Sequence, residues 1–212
     1  MTESYNKNED IIDRMRRRGW KCYVNYALIF ICVAAYALTE LTGGIGAEHM
    51  LSMGALYAPY VSGGEYWRLF TSMFLHFGMK HLLSNMLLLF FIGDYLERYV
   101  GHVRYALIYI GGGLAGNILS LTHGMMTGES FVAAGASGAV YAVLGGLLAL
   151  LLLKKGRVED LTLQRVFILI VLMVIVSFEN SGVDAYAHMG GVAGGFLLTM
   201  LLYGSGMLLR DE

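Results

Sequence analysis

Charge, proline and cysteine are all scarce in this chain. Only 15% of its 212 residues are charged and there is one proline, whereas 57% are hydrophobic. The mean hydropathy is +0.59. That balance lies far outside the range of soluble domains and defines an integral membrane protein. The net charge of −1 carries no information about nucleic acid, and with no basic stripe interleaved with aromatics none is expected as a partner. The two cysteines, Cys22 and Cys32, fall in or beside the first apolar run. On one helix about 15 Å of rise would separate them, too far for a disulfide, so both read as packing residues.

What is abundant is apolar sequence in runs. Residues 1–21 are polar and read as a cytoplasmic tail, and residues 22–41 form the first run. Ala35-Tyr36-Ala37 resembles a signal-peptide cleavage site, but the long leading tail and the later runs favour a retained helix. A long connection, 42–79, holds glycines, Pro59 and the pair Trp67-Arg68. Its apolar residues Met50, Leu51, Met53, Leu56 and Tyr57 suggest a segment resting on the bilayer. Further spans are expected at about 80–96, 103–121, 131–153, 166–178 and 183–203, the fifth having the shortest apolar core. Six spans place both termini on one side. Of the 15 Lys and Arg residues, all but Arg68 and Lys80 then fall on that side, so the positive-inside rule makes it the cytoplasm of a cell membrane.

Polar side chains inside such spans are costly, which makes each a functional candidate. Gly135-Ala136-Ser137-Gly138 surrounds one hydroxyl with residues of almost no side chain, so another backbone or a substrate can come close. If span four starts near Phe131, Ser137 lies roughly 9 Å into it. If span six starts near Val183, His188 lies roughly 8 Å in. His81 and Asn85, four residues apart on one face of span two, enter from the same side, with His76 just before them. Together these groups could supply a hydroxyl nucleophile, an imidazole base and two donors for an oxyanion. Each also has a plainer role. Small residues and serines build helix-packing surfaces, and His188, His81 and Asn85 could bond across helices. Histidines also bind zinc, but no H-E-x-x-H helix occurs and no carboxylate has ligand spacing in this layer. Asp184 could complete a triad with His188, although an N-cap at the mouth of span six suits it better.

These residues, in this order, resemble the rhomboid intramembrane serine proteases over about residues 20–205. Gly135-Ala136-Ser137-Gly138 is similar to the family's G-x-S-G motif. Ala187-His188 with Gly191 and Gly195 is similar to its A-H-x-x-G-x-x-x-G helix. His76, His81 and Asn85 fit its H-x-x-x-x-H-x-x-x-N segment, Trp67-Arg68 its outer-loop W-R, and Glu97 with Gly101 its E-x-x-x-G.

The resemblance implies an all-α polytopic membrane protein, a six-transmembrane-helix rhomboid bundle spanning 22–205, with cytoplasmic tails at 1–21 and 206–212. It implies a serine endopeptidase that cuts single-span membrane proteins near the outer end of their transmembrane segment. Ser137 would be the nucleophile and His188 the base, as a dyad without a carboxylate. Tyr141, four residues after Ser137, would pack on the imidazole, with interfacial packing as its plainer role. His81, Asn85 and the Ser137 backbone N–H would hold the oxyanion, and Gly191 and Gly195 would let span six approach span four. It implies no cofactor and no metal. Oligomeric state and substrate identity are not written in the sequence. A non-proteolytic binding or escort protein on the same scaffold, or a transporter with proton-relaying histidines, is the competing reading.

Overall fold

The computed structural model describes residues 21–179 and 182–204. The expected tails, apart from residue 21, lie outside the described residues. The apolar runs become α1 (Tyr23–Thr42), α5 (Met79–Val100), α6 (His102–Thr127), α7 (Ser137–Leu153), α8 (Leu163–Glu179) and α9 (Ala185–Thr199), the last ending in a π turn, Met200–Gly204. Between α1 and α5 the chain forms three short helices, α2 (Ala47–Ser52), α3 (Ala58–Ser62) and α4 (Arg68–Thr71), then a 3-10 turn at Ser72–Phe74. A two-residue antiparallel ribbon, β1 (Arg157–Val158) with β2 (Leu161–Thr162), joins α7 to α8. Gly101 separates α5 from α6 at φ +85°, a conformation that glycine alone adopts without strain.

By length and composition, α1, α6 and Ala185–Gly204 are each long and apolar enough to cross a membrane. The bent unit of Arg68–Phe74 with Met79–Val100, turned through 90°, would be a fourth. The 17 residues of α7 give a rise of about 25 Å, short of a hydrocarbon core of about 30 Å. This all-α bundle is built around α7, which is buried over nearly its whole length. Helices α5, α6, α8 and α9 pack against it, and α1 packs on α5.

Lipid offers apolar side chains no hydrophobic reason to associate, so close backbone packing has to hold the centre. Glycine supplies it. A Cβ at Gly191 would overlap the carbonyl of Gly138, one at Gly195 the carbonyl of Ala142, and one at Gly116 would come within 2.5 Å of Ala187 O. By contrast α8 buries only Val166, Ile170 and Ser177, while Phe167, Leu172, Ile175, Val176 and Phe178 face outward.

Three expectations need correction. Span four does not begin at Phe131. Its helix begins at Ser137, because the preceding segment gives its backbone hydrogen bonds to the loop instead. Ala133 exchanges two with Leu56, at 2.8 and 2.9 Å, and the Gly135 N–H donates to Ser72 O at 3.0 Å. Ser137 is therefore at the mouth of its helix, not two turns inside. Span three runs on to Thr127, well past residue 121. Two of the five loop residues expected to rest on the bilayer face the protein core instead. Met50 and Leu56 are buried, and Met50 forms a small core with Ala55 and Leu75, against which Met53, Phe77, Val132 and Ala134 pack.

Arg68 holds that loop together. Its buried guanidinium donates to Leu51 O at 2.7 Å, Ala55 O at 3.0 Å and Glu65 Oε2 at 2.8 Å, and it lies over the rings of Trp67 and Tyr60. At the opposite end, buried Glu97 accepts from the backbone N–H groups of Val24 (3.0 Å) and Asn25 (2.7 Å) and pairs with His102. That caps the start of α1 with a carboxylate, where orphan donors and the helix dipole favour one. Cys22 and Cys32 are both buried free thiols, as packing residues should be.

Candidate active site

The segment before Ser137 is held by histidine rings as well as by backbone. The Ala136 N–H points at His76 Nε2, 3.5 Å away, and His76 meets the ring of His81 edge-on at 5.2 Å between centroids. His81 in turn lies close against Gly135, where a Cβ would come within 2.7 Å of the ring. Only glycine leaves room for that ring beside the residue two before Ser137. Half-buried Ser137 is thus the first residue of α7, flanked by free helix-start N–H groups.

His188 reaches the same level from α9, where Gly138 abuts the Ala187 carbonyl and Gly191 abuts Gly138. Tyr141, one turn into α7, stacks on the His188 ring with centroids 4.0 Å apart and planes 8° from parallel. His188 Nδ1 lies 2.7 Å from Ser177 Oγ on α8. Ser177 Oγ donates to Met173 O at 2.7 Å, and the Tyr141 hydroxyl donates to the same carbonyl at 3.1 Å. Asp184 caps α9 by accepting from the Ala187 N–H at 2.9 Å, and it also accepts from Ser120 Oγ on α6. Its carboxylate is occupied there, and a hydroxyl meets Nδ1 instead.

Buried Asn85 sits one turn beyond His81 on α5, and its Nδ2 finds no acceptor among the described residues. A buried amide donor without a partner is costly unless something binds there. Trp67 and Arg68 belong to the loop, and Glu97 and Gly101 to the far end of α5, so these motif residues are structural staples away from Ser137. Among the described residues no three His, Cys, Asp or Glu side chains converge as a metal site. Ser177 escaped the sequence reading. Its signal was a lone hydroxyl near the C-terminal end of the fifth apolar run, one residue before Phe178. Its partners on α7 and α9 were not visible there.

A bundle of apolar helices packed through glycines, with serine, histidine, tyrosine and asparagine side chains gathered at one end, defines a multi-pass membrane protein with a polar site built at helix mouths. Comparison with known proteins gives the family. The model of the Rhomboid domain matches residues 63–205, and the chain belongs to the rhomboid family. It is 32% identical over 178 residues to rhomboid protease GluP of Bacillus subtilis, covering 84% of this chain and 34% of that protein. It is 36% identical over 191 residues to YdcA of the same organism, covering 88% of this chain and 94% of the relative. RHOMBOID-like protein 4 of Arabidopsis thaliana is 40% identical over 157 residues, 71% of this chain and 38% of the relative. The chain thus spans about a third of GluP and nearly all of YdcA.

Proposed function

We propose that this protein is an intramembrane serine endopeptidase that cleaves single-span membrane proteins near the outer end of their transmembrane segment. The observation that carries the reading is the shared level of Ser137 and His188, on helices locked face to face through Gly138, Ala187 and Gly191, with Tyr141 stacked on the imidazole. The relative named a rhomboid protease supports it. Ser137 Oγ attacks the scissile carbonyl carbon and its proton passes to His188 Nε2. The imidazolium then returns that proton to the leaving amine as the tetrahedral intermediate collapses to an acyl-enzyme, which water hydrolyses by the same route reversed. The oxyanion is held by the Ser137 N–H, Asn85 Nδ2 and His81, aimed from the helix starts of α7 and α5. One such donor is worth about 2.7–4 kcal/mol in the transition state.

In this reading the short α7 would set Ser137 below the outer membrane surface, where water reaches it from outside while neighbouring helices exclude lipid. The six long helices are read as six spans with both termini cytoplasmic, forming one unit over 22–205 in the cell membrane. An active-site fluorophosphonate probe in detergent tests the reading. Labelling of the parent and none of Ser137→Ala is expected. Equal labelling of both would remove Ser137 as nucleophile, and none of either would favour a non-proteolytic binding or escort protein.

A further inference from the structure

We infer that Ser177 is a positioning residue that sets the tautomer of His188, giving the base a third partner without a third charge. The inference rests on the peptidase reading above. It starts from four groups that meet around one carbonyl. Met173 O can only accept, and it receives both the Ser177 hydroxyl at 2.7 Å and the Tyr141 hydroxyl at 3.1 Å. The inference assigns the single proton of Ser177 to that carbonyl, in the back-bond to the preceding turn that serines make inside helices. What Ser177 Oγ offers to His188 Nδ1, 2.7 Å away, is a lone pair. With that assignment Nδ1 carries the ring proton, which leaves Nε2 free as the acceptor that a base requires.

The placement is selective. Ser177 is the one buried polar side chain among the described residues of α8, whose exposed residues between Phe167 and Phe178 are all apolar. Its Oγ lies 3.2 Å from the Tyr141 hydroxyl as well, so the residue that stacks on the imidazole and the one that holds its Nδ1 share a node. Free histidine prefers its proton on Nε2, the tautomer that cannot accept from serine. In the serine-protease triad an aspartate overrides that preference. Here the carboxylate of Asp184, four residues before His188, is taken up by Ala187 N and Ser120. A neutral hydroxyl does the same work at a lower desolvation cost inside a membrane.

The test compares the full-length parent with Ser177→Thr, which keeps the hydroxyl, and Ser177→Val, which keeps the shape without it. Imidazole nitrogen NMR on histidine-labelled protein, assigned against His188→Ala, reads the tautomer, and turnover of a transmembrane substrate gives kcat and KM. In the parent and Ser177→Thr, His188 is expected to hold its neutral-ring proton on Nδ1. Ser177→Val is expected to shift it toward Nε2 and to lower kcat about three- to ten-fold, the range of one net neutral hydrogen bond, with KM unchanged. An Nε2-protonated ring in an active parent overturns the inference, and that spectrum requires no variant to fold. Equal loss in Ser177→Thr and Ser177→Val, or loss through KM alone, also overturns it, since packing would account for both. A parent with the Nδ1 proton in place but no turnover and no probe labelling sinks the peptidase reading, and the catalytic use of Ser177 with it.

Discussion

Replacing Asn85 by alanine separates the catalytic and structural accounts of α5 in one preparation. In the resting protein the Asn85 amide Nδ2 is buried and donates to nothing among the described residues. Truncation therefore removes no resting hydrogen bond from that atom and relieves an unsatisfied donor, so the folded state loses little. The transition state is different. If Nδ2 donates to the developing oxyanion, its loss should lower kcat by about 10²–10³, with KM nearly unchanged because the interaction exists only in the transition state. An interhelical hydrogen bond predicts the reverse pattern, about 0.6 kcal/mol of stability lost and activity falling only as folding falls. Steady-state cleavage of a transmembrane substrate in detergent, with thermal unfolding of the same sample, reads both. A normal kcat in a destabilised Asn85→Ala protein would refute the oxyanion assignment.

Other perturbations have equally definite outcomes. Ser137→Ala and His188→Ala should each abolish cleavage in a protein that still folds, and the double variant should be no worse than either, since groups acting as a unit lose their effect together. Residual turnover in Ser137→Ala above a no-enzyme control would contradict this. Gly195→Ala should destabilise the bundle by about 1–3 kcal/mol, because its Cβ would overlap the backbone of Ala142, which has no side-chain freedom with which to yield. Unchanged thermal unfolding would show that α7 and α9 can part at little cost. A cysteine at Met126, on the exposed last turn of α6, should react with an impermeant reagent from outside in intact cells, and reaction only after the inner face is opened would reverse the topology.

Two kinds of information separate in this protein. The helical membrane class was written in local composition, because desolvating backbone and charge in hydrocarbon costs so much that apolar runs can only be helices. The family was legible too, through short motifs whose residues lie within one or two turns of each other. The same cost marked Ser137, His81, Asn85 and His188 as exceptions needing an explanation. The sequence could not say where α7 begins. Phe131 and Val132 are as apolar as the helix that follows, and what stops the helix short is a pair of hydrogen bonds exchanged between Ala133 and Leu56 and one from Gly135 to Ser72. It could not say which way the loop's methionines face, since a bilayer and a small protein core both attract them. It also gave Ser177 no distinction, because one hydroxyl in an apolar helix is satisfied by its own preceding turn. Its second bond, to His188, exists only where α7, α8 and α9 meet. Local sequence determines which groups are costly to bury, and only the packing of distant segments decides what each of them is buried against.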